Sequence, residues 1–264
     1  MLTQVINLSR RQDRLRQIRQ VLKNKLVPWE RVEAVDGRAL SWDDVAMHLH
    51  PTALADALWA EAHKVPTICR RTGSFSPHLT LAAVGCALSH RKAWERLANS
   101  SADVGLIFED DVAKVADDFH ASVERVLAQL PSTWKLCWLG YHESSGNLAP
   151  SDKRLRFHEL PEVEGQTGLF SYLLRRSTAI ELLQDKDVFP LRHQIDVMLG
   201  WRHWGSGTRF ALSPEAVLAH SPKSEDGACD TDVQSLGDTK TKAHSKIVGR
   251  GKKLSQHTRE MLLL

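Results

Sequence analysis

Residues 104–111, Val-Gly-Leu-Ile-Phe-Glu-Asp-Asp, constrain the fold of this chain most: an apolar run of buried-strand length ends abruptly in three carboxylates, Glu109, Asp110 and Asp111. Such a strand delivers its last side chains to the rim of a sheet, and in open α/β sheets ligands bind beyond the carboxyl ends of the strands. Strand alternation predicts that Glu109 and Asp111 project to one side and Asp110 to the other. Two like charges about 6 Å apart repel by about 2–3 kcal/mol at an effective dielectric near 20, so a compensating cation is expected. Hard oxygen donors suit Mg²⁺ or Mn²⁺, which would hold both carboxylates and a bound phosphate. The plain alternative is a solvated acidic turn at a strand end.

The flanking sequence supplies the rest of an α/β pattern. Val5-Ile6-Asn7-Leu8 reads as a short buried strand, after which Ser9 is expected to cap a helix. In that helix Leu15, Ile18 and Leu22 recur at helical spacing, while Arg10, Arg11, Asp13, Arg14, Arg16 and Arg19 fill the other positions. A strand, a tight turn and a basic helix start are a common way to meet a nucleotide, although a charged helix face is often simply solvated. A second strand, Val32-Glu33-Ala34-Val35, closes in an Asp36-Gly37 turn. The longest helical pattern, Leu79 to Asn99, carries Leu81, Val84, Leu88, Trp94 and Leu97 on its buried side. Gly85 lowers helix propensity there by about 1 kcal/mol, which points to close packing or ligand approach.

Strands are expected near 4–8, 31–35, 104–109, 135–140, 168–174, 208–212 and 216–220, and helices near 9–24, 79–98, 115–129, 177–184 and 194–203. That alternation predicts one α/β domain, a central mixed sheet with helices on both faces. A compact unit over 1–235 is followed by a basic tail, 236–264. Of the 264 residues, 240–264 hold seven basic and one acidic side chain, which leaves 28 basic and 31 acidic elsewhere; the formal +3 is thus a property of the tail. Such an end is expected to be solvated and partly disordered, with peripheral contact to anionic lipid as an alternative. It lacks the aromatic interleaving of base stacking, and no nucleic-acid partner is expected. No apolar run reaches membrane-spanning length. Cys69, Cys86, Cys137 and Cys229 form no C-x-x-C pair, and Cys86 and Cys137 read as reduced core residues. Residues 40–78, with a helical patch near Ala53 to Ala62, read as an insertion that forms a flap over a donor or an acceptor wall. Trp134, Trp138, Trp201 and Trp204 read as core or sugar-platform residues.

Several segments, taken in order, resemble glycosyltransferase family 25. They are Ile6 to Arg14, Val32 to Arg38, Gly85-Cys86-Ala87-Leu88-Ser89-His90 and Ile107 to Val112, followed by Trp138-Leu139-Gly140, Ser171-Tyr172, Ile195-Asp196, and Glu225-Asp226-Gly227 through Asp230-Thr231. The resemblance implies a GT-A, Rossmann-like scaffold and a metal-dependent inverting transferase. It would use UDP-galactose as donor, Mn²⁺ or Mg²⁺ as cofactor, and a hydroxyl-bearing protein or glycan as acceptor, with collagen hydroxylysine and lipooligosaccharide as the two family precedents. It implies Glu109, Asp111 and His220 as metal ligands, and Asn7, Arg10, Arg14, Asp36, Gly37, His90 and Asp110 as donor contacts. Arg10 and Arg14 would add positive charge near a leaving diphosphate. Asp196 would be the general base, its ordinary reading being an acid in a first helical turn. The spacing from His220 to Asp226 is about one residue longer than the family pattern, and a helix histidine buried against a sheet, as His90 is expected to be, is more often a core residue than a ligand. Eukaryotic relatives work in the endoplasmic reticulum; as written, the chain reads as cytoplasmic unless the N-terminus is truncated. A metal-dependent phosphoesterase and a non-catalytic nucleotide or sugar binder stand as alternative functions.

Overall fold

The computed structural model describes residues 1–25, 28–69, 74–75, 78–144, 157–159, 166–213, 216–221, 232 and 236–237. In chain order the first elements are β1 (Leu2–Asn7), α1 (Gln12–Leu22), β2 (Glu30–Glu33), α2 (Trp42–Val45), α3 (Pro51–Ala62), β3 (Ile68–Cys69), β4 (Ser74–Phe75) and α4 (Leu81–Ala98). There follow β5 (Val104–Glu109), β6 (Lys114–Val115), α5 (Phe119–Gln129), β7 (Leu136–Gly140), β8 (Glu143–Ser144), β9 (Phe157–Glu159) and β10 (Gln166–Thr167). The last are β11 (Ser171–Arg175), α6 (Arg176–Gln184), α7 (Ile195–Trp201), β12 (Arg209–Leu212), β13 (Ala219–His220) and β14 (Leu236–Gly237).

Seven strands form the central sheet in the order β2-β1-β5-β11-β7-β12-β9. The first three are parallel, β11 runs antiparallel to both its neighbours, β12 is parallel to β7, and β9 closes the sheet antiparallel. This is the mixed α/β sheet the sequence predicts, with helices on both faces. On one face Val5, Leu106, Phe108 and Leu173 pack with Leu15, Ile18 and Leu22 of α1 and with Phe119 and Val123 of α5. On the other, Ile6, Ile107 and Tyr172 pack with Val84 and Trp94 of α4, Leu182 of α6 and Leu199 of α7.

Local departures from the sequence reading have local causes. Helix α1 begins at Gln12 without a side-chain cap, because Ser9 Oγ donates to Glu33 Oε1 at 2.8 Å and accepts from Arg31 instead. Helix α5 begins only at Phe119, since Lys114 and Val115 pair antiparallel with His220 and Ala219. Within 40–78, helix α3 buries Ala53 and Ala57 against the core of the α4 face. The turn before it is tied to the connection that leads into α7: His50 N–H donates to Leu191 C=O at 2.9 Å, and Leu191 N–H to His48 C=O at 2.8 Å. Helix α4 starts where Thr80 Oγ1 accepts from Ala83 N–H. Among the described residues no helix is long and apolar enough to cross a membrane. Most of the 236–264 tail, Cys229, and the Glu225–Thr231 segment lie outside the described residues.

Candidate functional site

The parallel strands β1, β2 and β5 end at one rim, and there the chain opens into a cavity with a charged lining. Strand β5 stops at Glu109, and Asp110 and Asp111 lie in the turn beyond, so strict alternation ends with the strand. All three carboxylates line the cavity, together with Arg10, Arg14, Asp36, Gly37, His90 and Asp196. Nine of the eleven residues expected from the sequence therefore meet in one place. Asn7 stands just behind it: its side-chain amide donates to Asp110 Oδ2 at 2.6 Å and to Arg11 C=O, while its carbonyl accepts from Arg31 Nε. His220 does not join them. It lies exposed on β13 beside Lys114, outside the cavity lining.

The Gly85-to-His90 segment shows why a helix of this sequence builds a cavity wall. Residues four apart on a helix share a face, so Gly85 and Ser89 form one row and Cys86 and His90 the next. A Cβ on Gly85 would lie 2.7 Å from Val35 O, and one on Gly37 would lie 2.5 Å from Ala82 Cα. The two glycines thus let α4 and the loop after β2 touch, confirming close packing as the role of Gly85. Ser89 Oγ locks the contact, accepting from Val35 N–H at 2.8 Å and donating to Gly85 C=O at 2.6 Å. The adjacent row turns Cys86 and His90 toward Glu109, whose Oε1 lies 2.9 Å from His90 Nε2. Cys86 is accordingly a lining residue, whereas the sequence placed it in the core; Cys137 is buried as expected.

Carboxylates and arginines share the lining of the cavity. Asp111 Oδ1 is buried and neither it nor Ser221 Oγ meets a partner at hydrogen-bond geometry; burial together with the neighbouring Glu109 carboxylate pushes the Asp111 pKa up to about 7, against the pull of Arg14 and Ser221. Burial also raises Asp110, against the opposing pull of Asn7 and Arg14. An unpartnered carboxylate oxygen beside a second carboxylate is the environment a hard divalent cation satisfies, so Glu109 and Asp111 fit Mn²⁺ or Mg²⁺. Among the described residues the grouping of nitrogen, sulfur and oxygen ligands is Cys86, His90 and Glu109. Burial and the nearby carboxylates of Glu109, Asp196 and Asp111 hold the Cys86 thiol well above its ordinary pKa, which makes it a poor partner for a hard ion.

Beside the carboxylates lies an arginine cluster organised by Asp232, a residue without a sequence signal. Asp232 Oδ1 accepts from Arg10 at 2.7 Å, and its Oδ2 accepts from Arg11 at 2.6 Å and lies 3.7 Å from Arg14. Arg10 also donates to Asp36 at 2.7 Å, and Arg14 to Asp110 at 3.1 Å. Burial works against the Asp232 carboxylate, but Arg10 and Arg11 outweigh it and lower its pKa. A separation of more than 200 positions along the chain hides this contact from any local pattern. His142 and Gln194 are further lining residues without a sequence signal.

Asp196 lies in the first turn of α7, where its Oδ2 accepts from Gly168 N–H at 2.9 Å and its Oδ1 from Val197 N–H at 2.8 Å. Burial raises its pKa against those two bonds, and Glu109 adds to the rise. Trp138 Nε1 donates to Gly168 C=O at 3.1 Å, so this tryptophan steadies the loop that holds Asp196. Trp204 is a core residue whose indole N–H donates to Leu199 C=O. Trp201 is half-buried, with its ring edge-on to His193.

The chain matches glycosyltransferase family 25 (LPS biosynthesis protein) over residues 2–199. It is 31% identical over 169 residues to inactive glycosyltransferase 25 family member 3 of Mus musculus, covering 62% of this chain and 24% of that protein. It is 23% identical over 257 residues to procollagen galactosyltransferase 1 of Danio rerio, covering 90% and 39%. To procollagen galactosyltransferase 2 of Homo sapiens it is 29% identical over 139 residues, covering 52% and 20%. The chain thus spans between about a quarter and two fifths of the first two relatives and a fifth of the third.

Proposed function

The chain belongs to glycosyltransferase family 25, and we propose that it is a metal-dependent inverting transferase that moves galactose from UDP-galactose to a hydroxyl-bearing protein or glycan. The observation that carries this reading is the shared cavity lined by the unpartnered Asp111 oxygen, Glu109, Arg10 and Arg14. A divalent cation held by Glu109 and Asp111 would neutralise charge on the diphosphate as a Lewis acid. Arg10 and Arg14 stabilise the same oxygens as the bond from the anomeric carbon to phosphate breaks and its electron pair leaves with UDP. Asp196 takes the proton from the acceptor hydroxyl as that oxygen bonds to the opposite face of the anomeric carbon, which inverts its configuration. Burial raises the Asp196 pKa, which favours its taking up a proton.

Calorimetric titration with UDP, with and without Mn²⁺, followed by an assay of UDP release from UDP-galactose, tests the proposal. Metal-dependent UDP binding with turnover is the expected result. A second reading, a nucleotide-sugar binder without turnover, is favoured by the inactive designation of the Mus musculus relative. Tight UDP binding without hydrolysis or transfer would establish it instead.

A further inference from the structure

Behind Glu109 lies a chain of buried polar groups that the transfer reaction does not itself use. Trp94 Nε1 lies 2.9 Å from Tyr172 Oη, Tyr172 Oη lies 2.9 Å from His90 Nδ1, and His90 Nε2 lies 2.9 Å from Glu109 Oε1. Sheet register explains the alignment. Tyr172 pairs with Ile107 on the neighbouring strand, which places it on the same face as Glu109, and the four-residue spacing of His90 and Trp94 sets both rings of α4 against it. Trp94, His90 and Tyr172 are each 0% exposed, so bulk water completes none of these bonds.

The hydrogen count closes in only one way. Indole N–H only donates, so Trp94 occupies a lone pair of the tyrosine oxygen. Tyr172 has one hydrogen, and among the described residues His90 Nδ1 is the acceptor within reach. A bare Nδ1 puts the single proton of a neutral imidazole on Nε2, facing the Glu109 carboxylate. Any form with a proton on Nδ1, the imidazolium included, would strand the tyrosine hydrogen, and the opposite neutral tautomer would also set a bare Nε2 against a carboxylate oxygen. Leaving one buried donor unsatisfied already costs about 1–3 kcal/mol.

We infer that Tyr172, pinned by Trp94, fixes His90 in the Nε2–H tautomer, so that His90 donates to Glu109 Oε1 and presents the other carboxylate oxygen to the cavity. Tyr172 and His90 are thus positioning residues for Glu109. The inference rests on the metal-binding reading only in its consequence for the cation, since the tautomer is a property of the metal-free chain. Outer partners of this kind typically change metal affinity by about 10–100-fold when removed.

Two measurements test it. Long-range ¹H–¹⁵N correlation on the histidine-labelled, metal-free chain, with His90 assigned by its loss in His90→Gln, should show the proton on Nε2; a proton on Nδ1 overturns the inference. Mn²⁺ affinity in a double-mutant cycle should show Tyr172→Phe weakening binding about tenfold or more in the native background, but less than about twofold in the His90→Gln background, because a glutamine amide has no tautomer to fix. Equal losses in both backgrounds would reduce Tyr172 to a packing residue and overturn the relay. If the native chain does not bind Mn²⁺, the metal reading fails by itself. The tautomer then decides the relay alone, as it does if Tyr172→Phe fails to fold.

Discussion

Along β5, Leu106 and Phe108 meet α1 and α5 through apolar side chains, whereas Ile107 and Glu109, their neighbours on the opposite face, meet α4 in a core that contains Ser89, His90, Trp94 and Tyr172. One strand thus serves two cores of different composition. Apolar burial contributes about 25 cal/mol per Å² in any orientation, while a buried polar group is stabilising only when every donor finds an acceptor. The α4 face gives up freedom of orientation, and in return its polar groups are held at fixed positions around the cavity. The α1/α5 face contributes stability and sets Arg14, in the first turn of α1, at the rim beside Asp110.

If that division holds, changes on the two faces should register in different measurements. The largest effect is expected from Asp196→Asn. Turnover should fall by about 10²–10⁴-fold while UDP affinity stays within about twofold, read by UDP release and calorimetry. Unchanged turnover would remove Asp196 from the reaction. On the other face, Phe119→Ala should cost about 3–5 kcal/mol of stability in urea unfolding, yet leave the Mn²⁺ affinity of the folded protein as it was. A parallel loss of metal affinity would show that the faces are coupled.

Smaller changes probe the seam between them. Gly85→Ala places a Cβ 2.7 Å from Val35 O, and the resulting overpacking should cost about 1–3 kcal/mol and shift the loop that carries Asp36. A variant as stable as the native chain would show that the helix and loop can separate. The smallest effect concerns Asp232, whose folded-state pKa is depressed by Arg10 and Arg11. A depressed carboxylate stabilises the fold above its unfolded pKa of about 3.9, and that contribution is lost as pH falls through the folded value. The stability gap between the native chain and Asp232→Asn should therefore be about 1 kcal/mol or less at pH 7 and close in acid. A gap that widens in acid would contradict the ion-pair assignment.

Much of this architecture is legible along the chain, and what is not has identifiable causes. Runs such as 104–109 and 136–140 announce themselves because buried strands are continuous and apolar, and α1 and α4 because their apolar stripes repeat at helical spacing. Nine of the eleven candidate residues meet because they sit beyond strand ends, in the first turns of α1 and α7, and on one face of α4, positions that topology brings together. Tyr172 was visible in a motif, but its partnership with His90 depends on the β5–β11 register, which no single strand contains. Asp232 depends on a return of the chain to the start of α1, and His220, expected from the family resemblance although its spacing to Asp226 runs about one residue long, lies on β13 paired with β6. Ser9 had the chemistry of a cap, but Glu33 and Arg31 of the neighbouring strand β2 offered it better partners.

The central claim is that the rim carboxylates form a cation site, and Mn²⁺ titration calorimetry in two buffers of different ionisation enthalpy tests it most directly. With burial and the Glu109 carboxylate raising the Asp111 pKa to about 7, Mn²⁺ binding should release protons below neutral pH, weaken as pH falls, and be lost in Asp111→Asn. Mn²⁺ that binds the variant as tightly as the native chain, or binds neither, would contradict the account.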